Sequence, residues 1–261
     1  MWYSKGMDSV STSPSPQGVP NPRRPRRGHG WLRALRSVTL AAVIAVALGA
    51  LVGWLYLASL PSVADAPQRV AAILQAHRGQ PVSATGKAGQ AIVAVEDQRF
   101  YTNPGIDVVS MLHVTWGFIT TGSTDQGGAT IPEQLAKSLY VSDPTSVSGK
   151  LEEMGLAIKL DQRYSKAQIL VMYLNAIYYG HDAYGIEQAS QTYFHTSADQ
   201  LTWGQASMLA GLPQTPSAYD PIEHFALARL RQRHVLSRLV ATGRLTPAQA
   251  TSAYAETAAL P

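Results

Sequence analysis

Three short stretches hold side chains whose types and spacing could do chemistry. In residues 90–107, QAIVAVEDQRFYTNPGID, a small apolar run ends on adjacent carboxylates, Glu96 and Asp97. Phe100 follows three residues after Asp97, and then the breakers Asn103-Pro104-Gly105. A glutamate where an apolar segment meets a turn can be half-desolvated, which raises its pKa and suits it to general-base work near neutral pH. A helix end with solvated charges would account for the same residues. In residues 127–137, GGATIPEQLAK, the double glycine lets backbone approach a ligand closely. The helix that follows presents free N–H groups and a positive dipole end, which suits an anion. Gln134 and Lys137 lie three apart on one face of it. In residues 150–161, KLEEMGLAIKLD, Lys150 and Glu153 share a face. An ordinary surface ion pair explains them equally well.

Other chemistries find no support. The histidines of the main domain, His77, His113, His181, His195, His224 and His234, include no pair at helical ligand spacing. No G-x-S-x-G elbow is present. The chain of 261 residues has no cysteine, which excludes disulfides and thiolate-bound zinc. Its net charge of +4 belongs to the tail: residues 1–38 carry seven Lys/Arg against Asp8, and the rest carries fourteen bases against sixteen acids. Nucleic-acid binding by the main domain therefore has no compositional support.

The elements that must position these residues are helical. Residues 1–37 form a basic tail, rich in Ser, Pro, Gly and Arg through residue 30, that should be disordered and cytoplasmic. Residues 38–60 run 23 positions without a charge, enough to span a bilayer core of about 30 Å. Trp31, Trp54 and Tyr56 lie at the interfacial positions. A cleaved signal peptide would have a shorter apolar core, so a single-pass anchor is expected. The arginines before it place the N-terminus in the cytoplasm and residues 61–261 outside. That part reads as one mainly α domain. Four capping boxes open its helices, at Thr130/Glu133, Ser165/Gln168, Thr202/Gln205 and Thr246/Gln249. Loops are expected near 103–106, 121–128, 141–148 and 213–223. Residues 165–175, SKAQILVMYLN, read as a structural helix, and Arg229, Arg231, Arg233 and Arg238 as a solvated face.

Taken together and in order, EDQRFYTNPG, GGATIPEQLAK, GKLEEMGLAIKLD, SKAQILVMYLN and LAGLPQTPSAYDP resemble the five motifs of glycosyltransferase family 51, the peptidoglycan transglycosylases. The resemblance covers roughly 88–250. It implies a lysozyme-like α-helical domain with a small membrane-proximal lobe after the first motif, where the apolar residues 108–121 lie. It also implies a bacterial enzyme, monofunctional by its length, that polymerises lipid II and releases undecaprenyl pyrophosphate. Glu96 would be its base and Glu153 a second carboxylate that orients substrate or a metal. Gln134, Lys137 and Lys150 match donor-site residues, and Asp97, Phe100, Thr130 and Asn175 match supporting ones. A divalent cation, Mg or Mn, is a candidate cofactor; no organic cofactor is expected. The implied partners are lipid II, the growing glycan strand, the inner membrane and other cell-wall synthases.

The chain departs from that pattern at several places. Asn103 stands for a His, Ala129 for a Ser, Pro132 and Glu133 for a Thr and a Gln, and Val171 for a Glu. Thr145 and Gly149 stand where arginines usually hold the pyrophosphate, with Arg99 or Arg163 as candidate replacements. Two other readings therefore stand beside the polymerase: a weak or inactive anchored homologue that binds lipid II or a synthase, and a hydrolase on the same scaffold.

Overall fold

The computed structural model describes residues 30–107 and 129–258. Residues 1–29 and the expected lobe at 108–121 lie outside the described residues. Ten helices are described: α1 (Gly30–Ser59), α2 (Ala66–Ala76), α3 (Gly86–Glu96), α4 (Ile131–Tyr140), α5 (Val147–Arg163), α6 (Lys166–Ala176), α7 (Ile186–Phe194), α8 (Trp203–Leu209), α9 (Phe225–Ala241) and α10 (Pro247–Glu256). Among the described residues there is no strand, only an isolated bridge between Tyr178 and Tyr184. The chain is mainly α, as expected.

It divides into two units, Met1–Leu51 and Val52–Pro261. The first, as far as it is described, is the beginning of α1. That helix starts at Gly30 rather than near position 38. The charges at Arg33 and Arg36 bound the apolar stretch, but arginine is a good helix former, so they do not stop the backbone. Its stretch Ala34–Ser59 is long and apolar enough to cross a membrane. In the second unit the last turn of α1 is capped from α5. The Lys159 ammonium donates to the carbonyls of Leu57 at 3.1 Å and Leu60 at 2.7 Å. These oxygens lie at a helix end, where carbonyls lack intrahelical partners.

All four sequence-read capping boxes form, each with its hydroxyl accepting from the third residue's N–H and that residue's side chain accepting in return. Ser146 adds a single cap on α5, accepting from Gly149 N. The helices pack as two groups. In one, α4 lies against α5 and α6, and α2 against α6; in the other, α3, α8, α9 and α10 pack on one another. The centre is α6, where Ile169, Leu170, Tyr173 and Leu174 are at most 1% exposed. Burying such side chains is worth roughly 1.5–3 kcal/mol each. The C-terminal end of α3 reaches across from the second group to the first.

The loop after α3 is tied down by shape. Gly105 has φ +89°, and a Cβ there would lie 2.6 Å from the Ala157 carbonyl oxygen of α5. Left-handed backbone and a fixed backbone neighbour both exclude a side chain. Gly105→Ala should therefore destabilise the domain by about 2 kcal/mol or more, read as a lowered melting temperature.

Candidate active site

Glu96 is the last residue of α3 and Asp97 its C-cap, with φ −150° and ψ 82°. The break in helical geometry sends the two carboxylates in different directions. Asp97 turns inward and is 5% exposed. It accepts from Asn103 Nδ2 at 2.9 and 3.1 Å and from the Ile131 N–H, the first of α4, at 3.2 Å. Burial pushes its pKa up to about 6, although the donors from Asn103 and Ile131 pull the other way. Asp97 thus holds the start of α4 against the end of α3, with a carboxylate at a helix N-terminus.

Glu96 turns toward α4 and α9. Its Oε2 accepts from Gln134 Nε2 at 2.8 Å and its Oε1 from the Arg231 guanidinium at 3.1 Å. The side chains of Arg231 and Glu96 are 12% and 10% exposed. The Gln134 amide is oriented in turn by the Tyr173 hydroxyl, which donates to Gln134 Oε1 at 2.8 Å. Burial, and then the Glu96 charge, raise the pKa values of Tyr173 and Tyr179, so both phenols stay protonated. The result is a carboxylate with each oxygen fixed by one donor, in a setting where a single further hydroxyl could approach a remaining lone pair.

The other side of α4 faces α5. Glu133, 2% exposed, closes the capping box by accepting from Thr130 N and Oγ1. Its second oxygen lies 3.4 Å from the Lys150 ammonium, which also donates to Glu153 Oε2 at 2.8 Å. Burial presses the Lys150 ammonium toward losing its proton, but the Glu153 and Glu133 contacts outweigh it and its pKa is raised. Lys150 is therefore a cation between two buried carboxylates. Lys137 is exposed and makes no hydrogen bond or ion pair with any described residue. One helix thus brings Gln134 to Glu96, and Glu133 to Lys150.

The remaining sequence-selected residues sit behind this surface. Phe100 is fully buried, with the Lys166 ammonium 5.1 Å over its ring. Thr130 is 2% exposed and donates to the Gly105 carbonyl at 2.6 Å. Asn103 is 8% exposed and links Asp97, Gly105 N and Lys166. Asn175 exchanges hydrogen bonds with both backbone groups of Val82, at 2.8 and 2.9 Å, fixing the chain just ahead of α3. In this conformation these four support the surface and do not line it.

Arg99 pairs with Asp107 at 2.7 Å, and Arg163 lies over the Tyr164 ring at 5.9 Å. Arg231, expected on a solvated face, instead bonds Glu96. Arg229 is likewise held inward, donating to Gln232, Tyr254 O and Thr257. A signal for Arg231 did exist, since it lies four residues before the core residue Val235 and three after buried Ala228, hence on the buried face of α9. Gly149 also has a structural reason. A Cβ there would come within 1.9 Å of the Asp143 carbonyl oxygen.

Among the described residues, two groupings could hold a metal. Glu153 and Glu133 offer hard carboxylate oxygens of the kind that suit Mg or Mn, but a cation between them must displace the Lys150 ammonium. His181, Asp220 and Glu223 place ligand atoms within 4.8 Å of one another. Asp220, however, already accepts from Ile222 N at 2.8 Å, and His181 Nδ1 lies 3.1 Å from its other oxygen. That is a loop-fixing arrangement.

Comparison with known proteins bears on this site. The family described as Transglycosylase matches residues 74–240. Penicillin-binding protein 1A of Neisseria flavescens is 42% identical over 166 residues, which is 64% of this chain and 21% of that protein. The Neisseria gonorrhoeae protein of the same name is 40% identical over the same length, and the Escherichia coli (strain K12) one 38% over 160 residues, 61% of this chain and 19% of that protein. The chain thus spans about a fifth of the length of the relatives it matches. The crystal structure of penicillin-binding protein 1A from Haemophilus influenzae aligns with TM-score 0.36 and 33% identity, over 37% of this chain and 14% of that one.

Two predictions follow from the geometry of the site. Because the folded pKa of Asp97 lies above its ordinary 3.8, its contribution to stability is complete below that value and lost as pH rises through about 6. The melting temperature of the wild type relative to Asp97→Asn should fall across that window in thermal unfolding at stepped pH. Gly149→Arg should lower the melting temperature at every pH, by an amount matching roughly 1–3 kcal/mol of overpacking.

Proposed function

The chain belongs to the transglycosylase family, and from that membership we propose that it is a peptidoglycan glycosyltransferase that polymerises lipid II into β-1,4-linked glycan. The observation that carries the reading is the Glu96 carboxylate, each oxygen held by one donor, Gln134 at 2.8 Å and Arg231 at 3.1 Å. The 4-hydroxyl of one sugar attacks the anomeric carbon of a lipid-linked glycan. Its proton passes to Glu96, the new O4–C1 bond forms with inversion, and the bond from C1 to the pyrophosphate oxygen breaks. Undecaprenyl pyrophosphate leaves with the bonding pair. Lys137, exposed one turn along α4 from Gln134 and without an ion-pair partner among the described residues, is a cation that can meet that anion. When bound, a divalent cation would add charge stabilisation for the pyrophosphate, and Glu153 would hold it once the Lys150 ammonium had moved aside.

The apolar stretch of α1 supports a membrane anchor. With the basic tail before it, the reading places the N-terminus in the cytoplasm and the catalytic domain outside, beside its lipid substrate and other cell-wall synthases. A second reading, a weak or inactive homologue that binds lipid II or a synthase, is favoured by one observation. Lys150 is engaged by Glu133 and Glu153, and uncharged Thr145 and Gly149 replace arginines, so cationic help for the leaving group is reduced.

The purified full chain in detergent should convert lipid II to polymer, and Glu96→Gln should lower the rate by about 10²-fold or more. Lys137→Ala should slow it by roughly 10²-fold, as loss of a charge-stabilising donor does. Exposed Thr145 can carry a longer side chain, so Thr145→Arg should raise the rate. Absence of polymer from the wild type where a relative makes it would establish the binding-only reading. Shortening of preformed strands would establish a hydrolase.

A further inference from the structure

We infer that Arg231 is the positioning residue of the Glu96 carboxylate, seated by the close approach of the chain at Gly211; this rests on the reaction proposed above. The residue comes from α9, 135 positions away from Glu96 in sequence, and both side chains are nearly closed to solvent. It is fixed from behind. Arg231 Nε donates to the Gly211 carbonyl at 3.3 Å, and the guanidinium lies 5.9 Å from the Tyr219 ring. A Cβ on Gly211 would stand 2.8 Å from Arg231 Cγ, so the lack of a side chain there makes room for the arginine stem.

The groups facing Glu96 come from four places in the fold. Gln134 on α4 supplies a neutral donor, and Arg231 on α9 supplies a positive one. Tyr173 on α6 and Tyr179 just beyond it are buried phenols that feel the Glu96 charge, and the Tyr179 hydroxyl has no hydrogen-bond partner among the described residues. Of these, Arg231 alone carries charge. It does two things for a base. It holds one oxygen so that the carboxylate cannot rotate, and it sets a positive charge beside the base. Held in this way, the carboxylate keeps one geometry toward the incoming sugar hydroxyl.

The test uses the full chain in detergent micelles with lipid II, comparing the wild type with Arg231→Met, Arg231→Lys and Gly211→Ala. Arg231→Met should lower kcat by roughly tenfold or more and leave KM within about twofold. Arg231→Lys should restore part of the rate but not all of it, because lysine keeps the charge without the fork that reaches Gly211. Gly211→Ala, which displaces the arginine without removing it, should lower kcat in the same direction by a smaller amount. Independently of turnover, carboxyl 13C NMR of [13C]Glu-labelled chain, with Glu96→Gln for assignment, should show the Glu96 carboxyl resonance displaced in Arg231→Met. An unmoved Glu96 resonance would overturn the inference, as would an unchanged kcat with a raised KM, which would make Arg231 a substrate contact. If the resonance moves but the wild type makes no polymer, the pairing stands and the proposed reaction fails.

Discussion

A single buried carboxylate, Asp97, sets the geometry on which the site depends. It joins the last turn of α3 to the first N–H of α4, while Asn103 closes the other side. Ionising a group so deeply placed is costly, and three hydrogen bonds with the nearby Lys166 charge offset only part of it, which is why its pKa rises. What the arrangement secures is register. With α4 fixed at its N-terminus, Glu133, Gln134 and Lys137 fall at set angles around the helix: Glu133 meets Lys150, Gln134 meets Glu96, and Lys137 is left exposed.

That division of labour explains how the chain tolerates residues unusual for the family it resembles. Glu133 completes the capping box and supplies a counter-charge to Lys150. Asn103 satisfies both oxygens of Asp97 and still bonds Gly105 N and Lys166, so an amide serves at this inner position. Gly149 lets the end of the 141–146 loop lie against α5. Together these residues tie the loops on either side of α4 to the helices beside them.

Much of this was legible in the sequence because its causes are local. Capping boxes depend on residues three apart, and all four read from the sequence form. The central helix α6 followed from its cap and its unbroken apolar run. The adjacent acids at 96 and 97 marked a helix end, which is where α3 stops. The Glu96–Arg231 pair was not legible, because it joins residues that only the packing of α3 on α9 brings together. The reason for Gly149 was equally hidden: it lies in one carbonyl of the preceding loop. Helix α1 begins ahead of the uncharged stretch at 38–60 because charges end a hydrocarbon span without ending a helix. The lobe expected at 108–121 lies outside the described residues.

The contact of Lys159 with Leu57 and Leu60 has a mechanical meaning. The ammonium clasps the final carbonyls of the long apolar helix from the same helix, α5, that carries Lys150 and Glu153. Within the second unit, the last turn of α1 is thereby held directly by the helix that bears the cation and the second acid.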